Sequence, residues 1–344
     1  MYLGKVLTVA ALMAGTLNAF AMNALPLKVP VPADNPQNPA KIELGKTLYF
    51  DPRLSVDGTV SCNSCHNVMA DGADGRPVSG GVRGQRGGRG APTVWNSAFH
   101  TVQFWDGRAP SLEEQAKGPL INPIEMGMSD HAPVVVRINA IPGYVEMFKK
   151  AFGTKGDQIN INNVAKAIAS FERTLITPNS PFDKYKRGNK KAMTASAIKG
   201  MKLVEEIGCT SCHTGDIFAG EGFKMGEGNF QPFPQIPGSK FDKMYDITAD
   251  LGRFDVTKDP EDKNKWRVPT WRNVALTAPY FHNGKVKTLD EAVLVMAKTQ
   301  LDVALKPDQV ADIVAFLNAL TGEFPKIAMP RLPMTPGTTL TPDP

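Results

Sequence analysis

"CNSCH" at residues 62–66 and "CTSCH" at residues 209–213 contain every cysteine of the 344-residue chain. Two cysteines three positions apart in a helical turn can reach the two vinyl groups of one porphyrin, and the histidine that follows then lies under the iron. This is the pattern of c-type haem attachment, two thioether bonds and one axial nitrogen. A single Cys-x-x-Cys would also suit a redox dithiol or half a zinc site. Two copies, each followed at once by histidine, select haem. Cys62, Cys65, Cys209 and Cys212 are the candidate anchors, His66 and His213 the candidate iron ligands. No cysteine remains for a structural disulfide.

The two pentapeptides stand about one domain length apart, and the chain between and around them reads as helix. In "TASAIKGMKLVEEIG" (194–208), Thr194 suits a helix cap, Ile198, Met201 and Val204 follow at helical spacing, and Gly208 suits the stop. "INNVAKAIASFERTLI" (161–176) carries Val164, Ile168, Phe171 and Leu175 on one face. "PDQVADIVAFLNALTG" (307–322) opens on Pro307, carries Val310, Ile313, Leu317 and Leu320, and closes on Gly322. Strands are scarce, and 70–92 and 219–239 are rich in Gly and Pro. The expected fold is mainly α: two cytochrome c-like haem domains with long Gly/Pro-rich loops. Residues 22–178 form the first domain and 179–330 the second, parted in the helix-breaking "TPNSPFDKYKRGNKK" (177–191). A proline-rich tail, 331–344, follows, extended against the surface or frayed.

Residues 1–21 read as a cleaved export signal: Lys5, an apolar run from Val6 to Leu17, then Ala19-Phe20-Ala21. That run is too short to span a bilayer. The expected place is the periplasm, with no membrane span. A hydrophobic content of 42% supports real cores, and a formal charge of +5 permits an acidic protein partner without demanding one. So mild an excess, on an exported chain, argues against nucleic acid as the target of the Arg-rich loop. What the second axial position of each iron holds decides function: two strong protein ligands favour electron transfer, an open site favours chemistry. Spacing alone leaves Met225, Met244, Met296, Met329 and Met334 open as ligands opposite His213.

Beyond the pentapeptides, the chain resembles the bacterial dihaem cytochrome c peroxidases. "LGKTLYFDPRLS" (44–55), "QFWDGR" (103–108), "EQAKGP" (114–119) and "PYFHNGK" (279–285) carry the resemblance over nearly the whole mature chain. It implies a peroxidatic haem under His66 and an electron-storing haem under His213 with Met296 as second ligand. It further implies that Trp105 lies between the haems and that Gln115 and Glu125 form the peroxide pocket, with His282 near the second haem. Hydrogen peroxide is the implied substrate, a small c-type cytochrome or copper protein the donor, a homodimer the assembly. Met296 separates the chain from the branch with tyrosine there, which oxidises a partner protein. A dihaem electron-transfer cytochrome without enzymatic activity is the alternative.

The family also binds calcium between its halves, through an asparagine and backbone carbonyls matching Thr277 and Pro279. Gly90 stands in the asparagine's place, so a calcium ion is expected there with a weakened hold. A second departure lies in "VSGGVRGQRGGRG" (78–90). There the family carries a histidine that caps the peroxidatic iron in the oxidised enzyme. Val82 takes its position, and an isopropyl group cannot ligate iron. The loop therefore reads as a gate without its latch, with His100 and Met69 as possible substitutes and Arg83, Arg86 and Arg89 as possible partners of haem propionates.

Overall fold

The computed structural model describes residues 22–154, 157–335 and 337; the expected export signal, 1–21, lies outside the described residues. Among these, eight helices of eight residues or more carry the fold: α1 (Pro39–Tyr49), α2 (Leu112–Ile121), α3 (Ala132–Asn139), α4 (Pro142–Phe152), α5 (Ile161–Glu172), α6 (Ala195–Ile207), α7 (Leu289–Leu301) and α8 (Pro307–Asn318). Two short strands, β1 (Phe230–Pro232) and β2 (Lys265–Arg267), pair antiparallel with Phe230 opposite Arg267. The protein is mainly helical, and no described helix is long and apolar enough to cross a membrane.

One device is used twice. In the first half α1 crosses α5 at Gly45, where a Cβ would stand 1.8 Å from the carbonyl oxygen of Ala167. In the second, α6 crosses α8 at Gly200, where a Cβ would meet the Asp312 oxygen at 1.9 Å. Only glycine lets the backbones approach so closely. Each half thus runs crossing helix, Cys-x-x-Cys-His, then partner helix. A core from Leu44 to Leu175 fills the first half, and one around Phe182, Val204, Phe218, Ile313 and Phe316 fills the second.

The helix ends separate local from tertiary signals. Thr194 caps α6 by accepting from the Ala197 amide, and Gly208 ends it at φ 98°, as the sequence predicts. α5 stops at Glu172 and not at 176, because Asn96 takes over the backbone beyond it. The Asn96 amide donates to the Leu175 oxygen at 2.8 Å, and the Thr177 amide donates to Asn96 Oδ1 at 2.9 Å. α8 stops at Asn318, so Gly322 is no helix stop. A Cβ there would lie 1.7 Å from the Thr177 oxygen; its glycine serves a close approach between two chain segments.

The terminal segments cross over. Met22 is buried in the second core, and the Leu25 amide donates to Asp183 Oδ1 at 2.9 Å. In return Phe324 packs edge-on against Trp95, with centroids 4.9 Å apart, and Arg53 Nη1 donates to the Pro333 oxygen at 3.0 Å. The start of the proline-rich tail lies along the first half.

Candidate functional site

The two pentapeptides are held alike. His66 Nδ1–H donates to the Pro92 carbonyl at 2.9 Å, and His213 Nδ1–H donates to the Phe218 carbonyl at 2.7 Å. Each bond selects the tautomer whose Nε2 lone pair is free, the form a metal-ligating imidazole needs. Tyr49, from α1, donates its hydroxyl to the His66 carbonyl at 2.7 Å. Burial pushes the Cys62 thiol up to about 12 and those of Cys65 and Cys209 to about 11. Thiols held protonated are poor dithiol catalysts and poor zinc ligands. Half-buried sulfurs beside a histidine fit a thioether-linked porphyrin better.

The second half wraps a cavity of about 260 Å³ lined by Cys209, Cys212, His213, Met296, Trp105 and His282. Met296 reaches it from α7, while Met225, Met244, Met329 and Met334 are exposed. The structure thereby separates methionines that spacing could not. Trp271, which sequence reading did not single out, stacks on the His213 ring with centroids 4.3 Å apart and planes at 20°. Thr277 and Pro279 line the same cavity, as does Pro92. The residue that orients His66 is thus part of the wall around His213. Trp105 donates its indole N–H to the Gly90 carbonyl at 2.9 Å, which ties the first-half loop to this wall.

The loop 80–85 is strapped down beside the first pentapeptide. Cys65 Sγ lies 3.5 Å from the Gly80 carbonyl, and the Val82 amide donates to the Glu125 carbonyl at 3.0 Å. A Cβ on Gly81 would strike the Ile124 oxygen at 1.8 Å, so only glycine permits the contact. Val82 itself is 1% exposed and packs into the first core with Met126 and Leu120. Its side chain is a hydrophobic anchor for the loop. Glu125, half-buried, receives Asn122 Nδ2 at 3.0 Å on its carboxylate. Burial raises its pKa, opposed by the charge of Arg108. Gln115 sits half-buried on α2, ahead of the turn that carries Glu125.

Of the suspected propionate partners, Arg83 and Arg86 are exposed on the 78–90 loop. Met69 is exposed, and His100 is buried against Arg267, whose Nη1 donates to its Nδ1 at 2.7 Å. Arg89 grips Asp106 at 2.6 Å and forks onto Asp250 at 2.7 and 2.8 Å. Its guanidinium lies 4.8 Å from the centre of Trp266, which stacks on His282 at 4.0 Å. Burial pushes His282 down to about 4, and its Nε2 has no hydrogen-bond partner among the described residues. Sequence reading had no means of pairing Arg89 with Asp250, which lies far along the chain.

Two matched Cys-x-x-Cys-His pentapeptides, one beside a strapped loop and half-buried acid and one facing a methionine, fit a two-haem redox protein. A family model for the di-haem cytochrome c peroxidases matches residues 39–191. The cytochrome c551 peroxidase of Pseudomonas aeruginosa is 46% identical over 297 residues, covering 86% of this chain and 83% of that one. The cytochrome c551 peroxidase of Nitrosomonas europaea is 44% identical over 306 residues, covering 88% and 86%. A solved MauG-like protein associated with microbial copper homeostasis superposes with a TM-score of 0.75 at 32% identity, covering 87% of this chain and 95% of that chain. The chain belongs to the di-haem cytochrome c peroxidase family. It is accordingly an oxidoreductase with two haem groups, a dihaem peroxidase that reduces hydrogen peroxide.

Proposed function

We propose that His66 would hold the haem that serves peroxide reduction, and that His213 and Met296 would hold the haem that serves as the electron store. Both haems are c-type, fixed through Cys62 and Cys65 and through Cys209 and Cys212. When bound, the haem would supply the redox chemistry of peroxide reduction. The chain supplies the rest. Glu125 moves a proton from the inner to the outer peroxide oxygen, so that water leaves in place of hydroxide; a carboxyl raised by burial is suited to both steps. Gln115 orients the peroxide by hydrogen bonding. Trp105, held on the Gly90 carbonyl and lining the His213 cavity, serves the passage of electrons. His213 and Met296 would hold the second haem, and a thioether partner to imidazole would raise its potential, as an electron-accepting group requires.

The observation that carries this reading is the strapped loop beside Cys65. What supports the reading is that the loop brings Val82, which has no ligating atom, onto the Glu125 backbone beside Cys65. Residues 22–178 and 179–330 are the two haem domains. The donor is a small c-type cytochrome or a copper protein of the periplasm, reached by export and cleavage near Ala21, and the working form is a homodimer. Calcium keeps two carbonyl donors, at Thr277 and Pro279, with no side-chain oxygen at position 90. That is a poor set for an ion that takes six to eight oxygens. We place only a weakly held ion there, with Arg89 already neutralising Asp106 and Asp250. Steady-state assays with reduced c-type cytochromes and copper proteins test the donor reading: peroxide-dependent oxidation of one of them is expected, and oxidation of none would overturn it.

A further inference from the structure

Arg267, on β2, is 6% exposed. A guanidinium remains protonated throughout the pH range of a folded protein, and a buried charge without a counter-charge costs several kcal/mol. The groups around it are neutral. Nε donates to the Phe104 carbonyl at 3.1 Å, and Nη1 donates to His100 Nδ1 at 2.7 Å and the Val268 carbonyl at 3.4 Å. Burial and the adjacent guanidinium keep His100 uncharged. Nη2 has no hydrogen-bond partner, and no carboxylate forms an ion pair with Arg267, among the described residues. The acid whose field reaches it, Asp106, is held by Arg89 at 2.6 Å and Arg108 at 2.9 Å.

The backbone leaves this cation no retreat. Arg267 is paired with Phe230 across the two-stranded sheet, and its amide donates to the Trp105 carbonyl at 2.9 Å. Both Arg267 and His100 line the cavity that contains His213 and Met296. A fixed, buried guanidinium with a free N–H edge, facing a cavity, is a receptor for a carboxylate, which such a fork binds with two parallel hydrogen bonds.

We propose that Arg267, braced by His100, is the seat of a haem propionate, on the haem held between His213 and Met296. The inference rests on that haem occupying this cavity. Arg267 is then a binding residue that sets the charge beside the second iron. With the guanidinium gone, the propionate's negative charge stands uncompensated and favours the ferric state.

The test is a spectroelectrochemical titration of the holoprotein in mildly alkaline buffer, for wild type, Arg267→Gln and Arg267→Lys. Arg267→Gln is expected to retain both haems, to lower the midpoint potential of the Met296-side haem and to leave the other unchanged; Arg267→Lys restores much of the shift. An unchanged potential in Arg267→Gln with both haems bound would overturn the proposal. A wild-type potential that follows added chloride or acetate would also overturn it, assigning the guanidinium to a free anion. If the variants do not fold, a crystal structure of the wild-type holoprotein decides, by whether Arg267 lies within hydrogen-bond distance of a propionate. None of these readouts uses peroxide. Failure of the peroxidase assignment would therefore leave them standing, and a haem absent from this cavity would show first as haem content.

Discussion

A carboxyl group acts by where its proton sits, and two glutamates here have theirs shifted by burial. Glu125 faces the strapped loop, and Glu125→Gln removes its proton while preserving its volume. Peroxide turnover should fall by roughly 10²–10⁴-fold, the range of general acid–base contributions, with both haems still attached by pyridine haemochrome assay. A variant within about twofold of wild type would show that another group carries the proton. Glu172, on α5, is buried, its Oε2 lacks a partner among the described residues, and burial pushes it up to about 8 from an ordinary 4.5. Between those values the folded state keeps a proton that the unfolded chain releases. Stability therefore declines as pH rises, by roughly 1.4 kcal/mol per unit, and the loss is complete above the folded value. Urea unfolding of the holoprotein across that window should show a flatter decline for Glu172→Gln; equal slopes would contradict the assignment.

At the scale of elements, the helix crossings are the stress points. Gly200→Ala drives a methyl group into the Asp312 backbone of α8, where no flexible side chain can yield. The expected cost is that of overpacking, about 1–3 kcal/mol, read as a lower thermal midpoint of the holoprotein by circular dichroism; an unaltered midpoint would mean that the helices part freely. What was legible beforehand follows from the range of the signal. The pentapeptides and the Thr194 and Gly208 ends of α6 are written in residues within a few positions of one another, and they were readable. Gly322 looked like a helix stop and is a packing glycine, because its partner, Thr177, is distant in sequence. The burial of Val82, the grip of Arg89 on Asp250, the stack of Trp271 on His213 and the isolation of Arg267 depend on neighbours that no local period announces. Met296 could be chosen among five methionines only through family likeness; the cavity supplies a physical reason.

The whole molecule joins two similar scaffolds whose Cys-x-x-Cys-His histidines are surrounded differently, and Arg89 helps to hold them together. Its fork onto Asp250 and its contact with Asp106 and Trp266 place a permanent cation on the residue next to Gly90, where the family's asparagine is missing. Calcium chelation of the holoprotein should thus leave peroxide turnover within about twofold, the double-sided contact of a guanidinium being insensitive to chelators. Arg89→Gln should slow electron transfer between the haems in stopped-flow reduction, and calcium should not restore it. A wild type that loses activity on chelation and regains it with calcium would contradict this division of labour. The central claim is that the 80–85 loop would offer no ligand to a haem held by His66, because Val82 is buried in the core and has no ligating atom. Electron paramagnetic resonance of the fully oxidised protein tests it most directly. The account predicts one low-spin signal, from the His213–Met296 haem, and one signal from a haem that is high-spin or holds only water. Two low-spin signals, with a protein nitrogen or sulfur opposite His66, would contradict it.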